Sequence, residues 1–445
     1  MARQPVTALT PAATPAIIEE LRLKKFKSFR GAVLPLADLT LVIGRNGSGK
    51  SNAIEALEAL SRLATGEDIR DAIDGGRGTV DAIRGGVAGC APYGESSFAL
   101  GASVRRGDDV VNLDVEIRTE PFVQVVSERL WTTHNGSERD LLHSDPAEEH
   151  RADIDARYYN GKRGPNPAAT FRASGLLTAQ AAVRVPATSK ATSEVREAAE
   201  VVIDALKAVS VLDPVPSLMR DYVQEGDADE LRRRAENLSA VVARLRSQGG
   251  DVWQRFCELV KSLPEQEIRT IDIGRSSLRD VVIVLHERQG RGRREIPARL
   301  MSDGMLRFVA FATALLEAPV TGSGATVAQR ALLIEELENG LYPSQARRII
   351  ELVKEEARKR DVRVLATTHS PAMLTALSAD DHPNVMLCDR DGKTGGSRLR
   401  SLVELPNYTR LMALGTLGDA VIHGRLTAGP DPEATADLER LIAGL

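Results

Sequence analysis

Apolar residues form alternating or continuous runs that predict an ordered series of strands and helices from Ile17 onward. The run IIEELRLKKFKSF predicts a first strand. LTLVIG, which ends at Gly44, is a continuous apolar run typical of a fully buried strand. Apolar residues after Ser51 recur near the spacing of a helical turn and predict a helix. SFALGASVRR and VVNLDVEIRT alternate as antiparallel strands do.

The C-terminal part predicts a parallel α/β sheet. A hairpin is predicted over 276–296, and helices and buried strands alternate after it. The four segments are LRFVAFATALLEA, ALLIEE, SQARRIIELVKEEARKR and VRVLATTHS. The region before the hairpin, 135–270, is more polar. We expect it to be mostly helical, with helices at EVREAAEVVIDALKAV and ADELRRRAENLSAVVARLRSQ.

These patterns predict an α/β fold with a mixed or parallel sheet, flanking helices, an antiparallel β subdomain and a helical insertion. The N-terminus is rich in Ala, Thr and Pro, as mobile tails are. The predicted units are a mobile tail (1–16), an N-terminal lobe (17–134), the helical insertion (135–270), a C-terminal lobe (271–426) and a C-terminal helix or tail (427–445).

Composition excludes several classes of protein. The 445 residues carry a formal net charge of -4, which argues against bulk attraction to nucleic acid or anionic membranes. The three cysteines show no metal-ligand spacing and fit a reducing interior. We see no secretory signal and no apolar run of about 18 residues, so we predict a cytoplasmic protein without a membrane contact.

A phosphate-binding loop is predicted at residues 44–51, GRNGSGKS. It stands after the buried strand and before the helix, where backbone N–H groups and the helix dipole face an anion. Lys50 would neutralise the β- and γ-phosphates, and the Ser51 hydroxyl would ligate Mg²⁺. A chance glycine-rich turn does not account for both flanking elements. The loop residues expected to bind are Gly44, Asn46, Gly47, Ser48, Gly49, Lys50 and Ser51.

Two further strand ends carry polar residues. In ALLIEELENG, Glu335 and Glu336 follow an apolar strand, where Glu335 would hold the Mg²⁺ shell and Glu336 would act as general base. VLATTHS delivers His369 to the same predicted edge, where an imidazole can contact a γ-phosphate. The alternatives are an acidic turn and a structural histidine.

Ser302, Asp303 and Gly304 precede a predicted helix and form a second candidate anion site. The alternative is an ordinary N-cap. One phosphate does not need two helix N-termini of the same chain. We therefore expect Ser302 to serve the nucleotide of a partner subunit.

Together, these four elements resemble the heads of ABC-type ATPases, within the group of SMC, RecF and OLD-like proteins. LKKFKSFRG, MSDGMLR and IEELENGLYP are similar to the first strand pair, the variant signature and the Walker B and D-loop of that group. The long gap between Lys50 and Ser302 also fits this group. The chain thus resembles a small stand-alone ATP-binding protein without a TOPRIM nuclease domain.

The resemblance implies ATP and Mg²⁺ as cofactors and an ATP-dependent homodimer. It implies Asn46 near the γ-phosphate, with Ser302 and Gly304 acting in trans. Asn339 and Gly340 would belong to the D-loop, and His369 would be the switch. Lys27 is a weaker candidate for an α-phosphate contact.

Three departures from the family pattern bear on activity. Glu335 stands where most relatives have Asp, which puts the rate of hydrolysis in doubt. Leu337 and Tyr342 replace the usual Pro and His, which affects the expected D-loop contacts. No glutamine is plainly placed as a Q-loop, so the second Mg²⁺ ligand is unassigned.

A second activity in this chain is not favoured. Asp389 and Asp391 suggest a nuclease pair, but the rest of the TOPRIM pattern is missing, and a turn between two final strands is the better interpretation. The basic runs could meet DNA phosphates, but charge runs are usually solvated faces. These are Arg288, Arg291, Arg293 and Arg294 in the hairpin, and Arg232, Arg233 and Arg234 in a predicted helix.

We therefore expect an ATPase that dimerises around MgATP and regulates a separate effector, such as a nuclease, in bacterial anti-phage defence. One alternative is a RecF-like repair ATPase acting on DNA ends or gaps. A nucleotide-bound scaffold that barely turns over is another. A transporter subunit fits poorly, because the gap before the signature is long and no Q-loop is seen.

Overall fold

The structure is a computed structural model. It describes residues 14–76, 81–134, 136–147, 151–263, 267–289, 292–317, 328–339 and 343–426. The predictions for most of the N-terminal tail, for 427–445 and for Gly340, Tyr342 and Arg291 lie outside these residues. Ala16, placed in the tail by sequence, is buried and forms a bridge to Ala328.

The described residues form strands and helices with the following bounds. The strands are β1 (Ile17–Lys25), β2 (Ala32–Pro35), β3 (Leu39–Ile43), β4 (Ser97–Arg106), β5 (Asp109–Arg118), β6 (Gln124–His134), β7 (Ser137–Ser144), β8 (Asp153–Tyr158), β9 (Ala168–Arg172), β10 (Val209–Leu212), β11 (Val223–Gln224), β12 (Ile268–Arg275), β13 (Asp280–Gln289), β14 (Gly292–Pro297), β15 (Ala331–Ile334), β16 (Arg363–Thr368), β17 (Val385–Arg390) and β18 (Ser397–Ser401). The helices are α1 (Lys50–Leu63), α2 (Ile69–Asp74), α3 (Leu177–Arg184), α4 (Lys190–Lys207), α5 (Leu238–Gln248), α6 (Gly250–Lys261), α7 (Asp303–Leu316), α8 (Ala346–Arg360), α9 (Pro371–Thr375), α10 (Tyr408–Ala413) and α11 (Leu417–Ile422).

The central sheet has the strand order β10-β15-β16-β3-β17-β18 and confirms the predicted α/β fold. Its first five strands are parallel, and β18 pairs antiparallel with β17. Side chains along a strand alternate between faces, so β3 contributes Leu41 and Ile43 to one core and Val42 to the other. Both faces are covered, which is why the parallel strands are largely apolar.

One face of the central sheet packs on α1, α4 and an antiparallel sheet of order β2-β1-β4-β5-β6-β7-β8-β9. The start of the predicted helical insertion is therefore wrong. Residues 137–172 contain three strands that extend this sheet, and helices begin only at Leu177. β7 is mostly polar, and it is a strand because the long edge of β6 supplies backbone partners for it.

The other face carries α5, α6, α7, α8 and a smaller sheet of order β11-β13-β12. β14 pairs with β13, which confirms the predicted hairpin. The helix predicted over ADELRRRAENLSAVVARLRSQ begins only at Leu238. Arg233 and Arg234 are not helical, because their carbonyls accept hydrogen bonds from Asp213 and Val215.

Candidate nucleotide-binding site

The five parallel strands of the central sheet end at one edge, which we call the nucleotide edge. The loop 44–51 follows β3, Glu335 follows β15, and His369 follows β16. β10 also ends here, and Asp213 follows it. The carboxyl ends of parallel strands are where ligands bind in such sheets, so the predicted residues from three distant segments meet at one edge.

Two positions of the loop 44–51 have a backbone conformation and surroundings that only glycine tolerates. Gly44 has φ +150°, and a Cβ atom there would lie 2.1 Å from the carbonyl oxygen of Cys388. Gly49 has φ +113°, and its Cβ would lie 2.4 Å from Ser397 Oγ. Asn46 and Gly47 are exposed at the tip of the loop. The glycines thus let the loop turn tightly against β17 and β18.

The loop and the first turn of α1 fit a phosphate group. α1 begins at Lys50 without a side-chain cap and without an acidic residue in its first turn, so its N–H groups are available to an anion. Ser48 Oγ is buried and has no hydrogen-bond partner among the described residues. A buried hydroxyl is costly without a partner, and a phosphate oxygen would supply one.

Lys50 is folded back into the loop. Its Nζ donates hydrogen bonds to the carbonyl oxygens of Gly44 (2.8 Å) and Arg45 (3.2 Å). Burial lowers the pKa of Lys50, while Cys388, Glu336 and Glu338 act in the opposite direction. An anion beside the ammonium would favour its charged form.

Ser51 and Glu335 meet at the place predicted for Mg²⁺. The side chains share a hydrogen bond, which lowers the pKa of Glu335, but burial has the larger effect and raises it. Asp213 and Glu55 also raise this pKa, and Arg233 lowers it. A cation fits here, because it would offset the cost of burying carboxylates beside one another.

Asp213 is a site residue that sequence reasoning missed. β10 is the neighbour of β15 in the sheet, so Asp213 stands beside Glu335 at the nucleotide edge. The signal in the sequence that could have identified Asp213 is its position directly after the run VSVL, where a charged residue ends a strand.

Glu336 and His369 are brought together by a third carboxylate, Glu338. His369 Nδ1 lies 3.1 Å from Glu338 Oε1 and 3.9 Å from Glu336 Oε1. Glu338 Oε1 also accepts a hydrogen bond of 2.8 Å from the backbone N–H of His369. Glu338 Oε2 is buried without a hydrogen-bond partner among the described residues. Glu338 therefore orients His369, the predicted switch histidine. The only signal for this role in the sequence is a third glutamate shortly after Glu335 and Glu336.

The turn after β15 is held in a strained backbone. Glu336 has φ +48°, which is uncommon for a residue with a side chain, and its N–H donates to Thr367 Oγ1 at 2.9 Å. The carbonyl oxygen of Glu336 accepts a hydrogen bond of 2.7 Å from the N–H of Asn339. The Glu336 and Asn339 side chains remain exposed at the edge.

Ser302 caps α7, as the alternative interpretation expected. Its Oγ accepts a hydrogen bond of 3.2 Å from the N–H of Met305, and Ser302 itself is exposed. Gly304 lies in the first turn of the helix. α7 packs on the opposite face of the central sheet from α1. The two candidate anion sites of one chain therefore belong to different sides of the sheet.

Lys27 is engaged away from the loop. Its Nζ donates to Glu55 Oε2 at 2.6 Å and to the carbonyl oxygen of Arg84 at 2.7 Å. The predicted α-phosphate contact would require these bonds to break. Lys27 also lines a cavity of about 620 Å³ beside the loop, together with Tyr93 and Arg390. Arg390, which sequence reasoning missed, donates to the carbonyl oxygen of Gly47 at 2.8 Å.

The other candidate sites are occupied by ion pairs. Asp389 lies in β17 and Asp391 in the turn that leads to β18, and they pair with Arg398 and Arg400. No three His, Cys, Asp or Glu side chains of the described residues form a metal-binding group. In the basic run before α5, Arg233 pairs with Glu58, and its two neighbours pair with Asp227 and Asp81. This run is therefore not an open basic patch.

This fold and edge define a P-loop ATPase of the ABC type. A family model described as "AAA domain, putative AbiEii toxin, Type IV TA system" matches residues 39–375. The match covers more than half of the chain, so the chain belongs to this family. An AAA domain is an ATPase domain, and nucleotide binding follows from membership of this family.

The chain is also similar to individual proteins. It is 29% identical over 104 residues to "DNA replication and repair protein RecF" of Picosynechococcus sp. (strain ATCC 27264 / PCC 7002 / PR-6), and the match spans 23% of each chain. A solved SMC head bound to the C-winged helix domain of ScpA covers 88% of this chain and 99% of its own, with 15% identity and a TM-score of 0.46. The Smc head with a coiled coil and joint from Pyrococcus yayanosii covers 90% and 99%, with 12% identity and a TM-score of 0.47.

Among the residues that the structure describes, no helix is both long enough and apolar enough to span a membrane.

Proposed function

We propose that the chain binds MgATP at its nucleotide edge and that two copies close head-to-tail around two nucleotides. In the closed dimer, Ser302 and Gly304 of each copy contact the nucleotide held by the other. The observation that carries this proposal is the separation of α1 and α7 on opposite faces of the central sheet. Each helix N-terminus offers N–H groups to an anion, and a second copy would bring the two kinds together.

Binding would use the groups already gathered at the edge. The N–H groups of residues 47–50 and the Lys50 ammonium would contact the phosphates in place of the loop carbonyls. Ser51 and Glu335 would hold Mg²⁺, with Asp213 beside them. Bound Mg²⁺ would neutralise phosphate charge during transfer. The cavity beside Tyr93 and Arg390 offers space for the nucleoside.

Hydrolysis would follow from the groups on the exposed side of the edge. Glu336 would accept the proton of the attacking water, because its exposed carboxylate can reach a water in front of the γ-phosphate. His369, oriented by Glu338, would contact the γ-phosphate. Asn339, exposed at the edge, would contact the partner copy. The longer side chain of Glu335 would make turnover slow relative to an enzyme with Asp there, and a permanent scaffold is the limiting case.

The first test is the mass of the purified chain in solution with and without MgATP, for the native chain and for Glu336→Gln. The variant should keep MgATP bound and shift to twice the mass, because closure is no longer released by hydrolysis. Glu404 is an exposed carboxylate far from Glu336 in the sequence. Glu404→Gln is therefore the matched control and should behave as the native chain does. A variant that binds MgATP and stays at the mass of one copy contradicts the dimer and favours a scaffold.

The biological role we propose is control of a separate effector, such as a nuclease, in bacterial defence against phage. The family description refers to a toxin of a toxin–antitoxin system, which supports a defence setting. Purification of the trapped Glu336→Gln dimer from its host should retain the effector, and expression should protect cells against phage challenge. Absence of both a retained protein and protection would refute this role.

A second candidate function is repair of DNA ends or gaps. The local identity with a RecF protein favours it. It predicts MgATP-dependent binding of gapped duplex by the chain alone. Among the basic residues, the exposed Arg294 would be the first to substitute, since the run before α5 and Arg288 are engaged in ion pairs.

A further inference from the structure

A single arginine organises the turn that carries Ser302. Residues 298–304, here called the signature turn, precede and open α7. Arg220 lies on one side of this turn, 83 positions before Asp303 in the chain. Its Nη1 donates to three carbonyl oxygens, those of Met301 (2.7 Å), Arg299 (3.2 Å) and Ala298 (3.5 Å), and its Nη2 pairs with the carboxylate of Asp303.

These contacts fix the shape of the turn on both sides of Ser302. Carbonyl oxygens of a short turn have few partners of their own, and a guanidinium with several donors in one plane can hold them in a single arrangement. A second ion pair, between Asp221 and Arg299 (3.2 Å), lies beside the first. Ser302 Oγ then caps α7 from a position that Arg220 determines.

The other end of the same segment lies at the nucleotide edge. Residues 213–220, here called the linking segment, start at Asp213 beside Glu335. The N–H of Asp213 donates to the carbonyl oxygen of Arg233 at 2.8 Å, and Arg233 donates to Glu58 on α1 at 2.6 Å. Met219, just before Arg220, is 1% exposed and packs in the core shared by α7. The segment is thus anchored at both ends.

We propose that the linking segment couples occupancy of the nucleotide edge to the position of Ser302, with Arg220 as the positioning residue. Asp213 lies beside Glu335, which would hold the cation, so occupancy of the edge would change the electrostatics at the start of the segment. Arg220 would transmit this change to the signature turn. The inference rests on the proposed function in one respect, namely that Ser302 acts on the nucleotide of a partner copy.

The first experiment measures amide hydrogen exchange in the peptide covering the signature turn, in the nucleotide-free chain. Arg220→Ala should raise exchange there roughly tenfold or more, because three carbonyls lose their donor. Arg220→Lys keeps one cation but not the planar fork, so its exchange should be intermediate. Arg275→Ala breaks an exposed ion pair with Glu225 in the neighbouring sheet and should leave the turn as it is. Native-like exchange in Arg220→Ala overturns the inference.

The second experiment combines these changes with Glu336→Gln and measures MgATP affinity and mass in solution. Turnover is measured for the same changes without Glu336→Gln. Arg220→Ala should bind MgATP as the native chain does, yet fail to double its mass, and kcat should fall roughly tenfold with KM little changed. If Glu336→Gln forms the closed dimer equally well with and without Arg220→Ala, the coupling is overturned. If Glu336→Gln alone stays at the mass of one copy, the proposed function fails, and the exchange measurement still decides whether Arg220 positions the turn.

Discussion

The nucleotide edge and the signature turn both present a helix N-terminus, but they are built in opposite ways. At the nucleotide edge the anion-binding groups are enclosed, with Lys50 and Ser48 buried and glycines packed against β17 and β18. At the signature turn, Ser302 is exposed and caps its own helix. The anion-binding groups of one site are enclosed within a single chain, and those of the other lie on its surface.

This difference indicates which partner each site needs. A buried Ser48 hydroxyl without a hydrogen-bond partner in the described chain favours a small ligand that enters the loop. An exposed turn held rigid by Arg220 favours contact with something outside the chain, because rigid exposed groups lose little freedom on binding. Substitutions on the two sides of the sheet test this contrast.

The largest effect is expected from Lys50→Met. Removing the ammonium should weaken MgATP binding by roughly a hundredfold or more, a loss of about 3 kcal/mol, measured by calorimetric titration. Lys24→Met removes a lysine from an exposed ion pair with Asp114 on the same lobe and should bind normally. Native affinity in Lys50→Met would mean that the loop is not the phosphate site.

The second prediction concerns the two sites together. Lys50→Met and Ser302→Arg should each be inactive alone, the second because a bulky charge replaces the small cap. In a head-to-tail dimer, each site combines the loop of one copy with the signature turn of the other. A dimer of one Lys50→Met copy and one Ser302→Arg copy therefore has one site that carries both changes and one site that carries neither. An equimolar mixture should therefore recover hydrolysis, up to about a quarter of the native rate. If each variant is inactive and the mixture is too, the sites are not shared between copies in this way.

The smallest expected effect is on the stability of the fold. This prediction compares two buried carboxylates, one on each side of the central sheet. Glu317, beside α7, is paired with Arg330 and Arg244. Glu128, on β6, is fully buried and accepts hydrogen bonds from Thr178 and from the N–H of Leu177 (2.8 Å). Burial raises the pKa of Glu128 to about 7, and these hydrogen bonds oppose the shift.

The pH dependence follows from the direction of that shift. Between the ordinary glutamate pKa and about 7, the folded state binds more protons at Glu128 than the unfolded state does, so stability falls as pH rises through this range. Glu128→Gln should flatten the fall in melting temperature between pH 5 and pH 8. Glu317→Gln should instead destabilise across the range, because it leaves Arg330 buried with a weaker partner. An unchanged pH profile in Glu128→Gln would show that Glu128 does not titrate in this window.

Much of the site was predictable because its signals are local. A strand, a glycine-rich turn and a helix stand next to one another around Lys50, and each strand end that carries Glu335 or His369 is marked by an apolar run before it. Hydrophobic periodicity and turn chemistry depend on neighbouring residues, which a sequence displays directly. The α/β class, the hairpin of β13 and β14 and the meeting of these strand ends followed from that information.

Other features were decided by which distant segments pair. The polar strand β7 exists because β6 offers it an edge, and the run containing Arg233 is not helical because Asp213 and Val215 donate hydrogen bonds to its carbonyls. Local propensity is weak for such segments, so tertiary pairing overrides it.

The sequence by itself determined the chemistry of the loop 44–51 and the identity of the groups at three strand ends, because each is encoded within a few consecutive residues. Only the tertiary structure decided that Asp213 joins Glu335, that Glu338 orients His369 and that Arg220 holds the signature turn. Each of these contacts depends on the distance to which the fold brings two segments that lie far apart in the chain. Spacing along the chain carries no information about that distance once the residues are far apart in sequence.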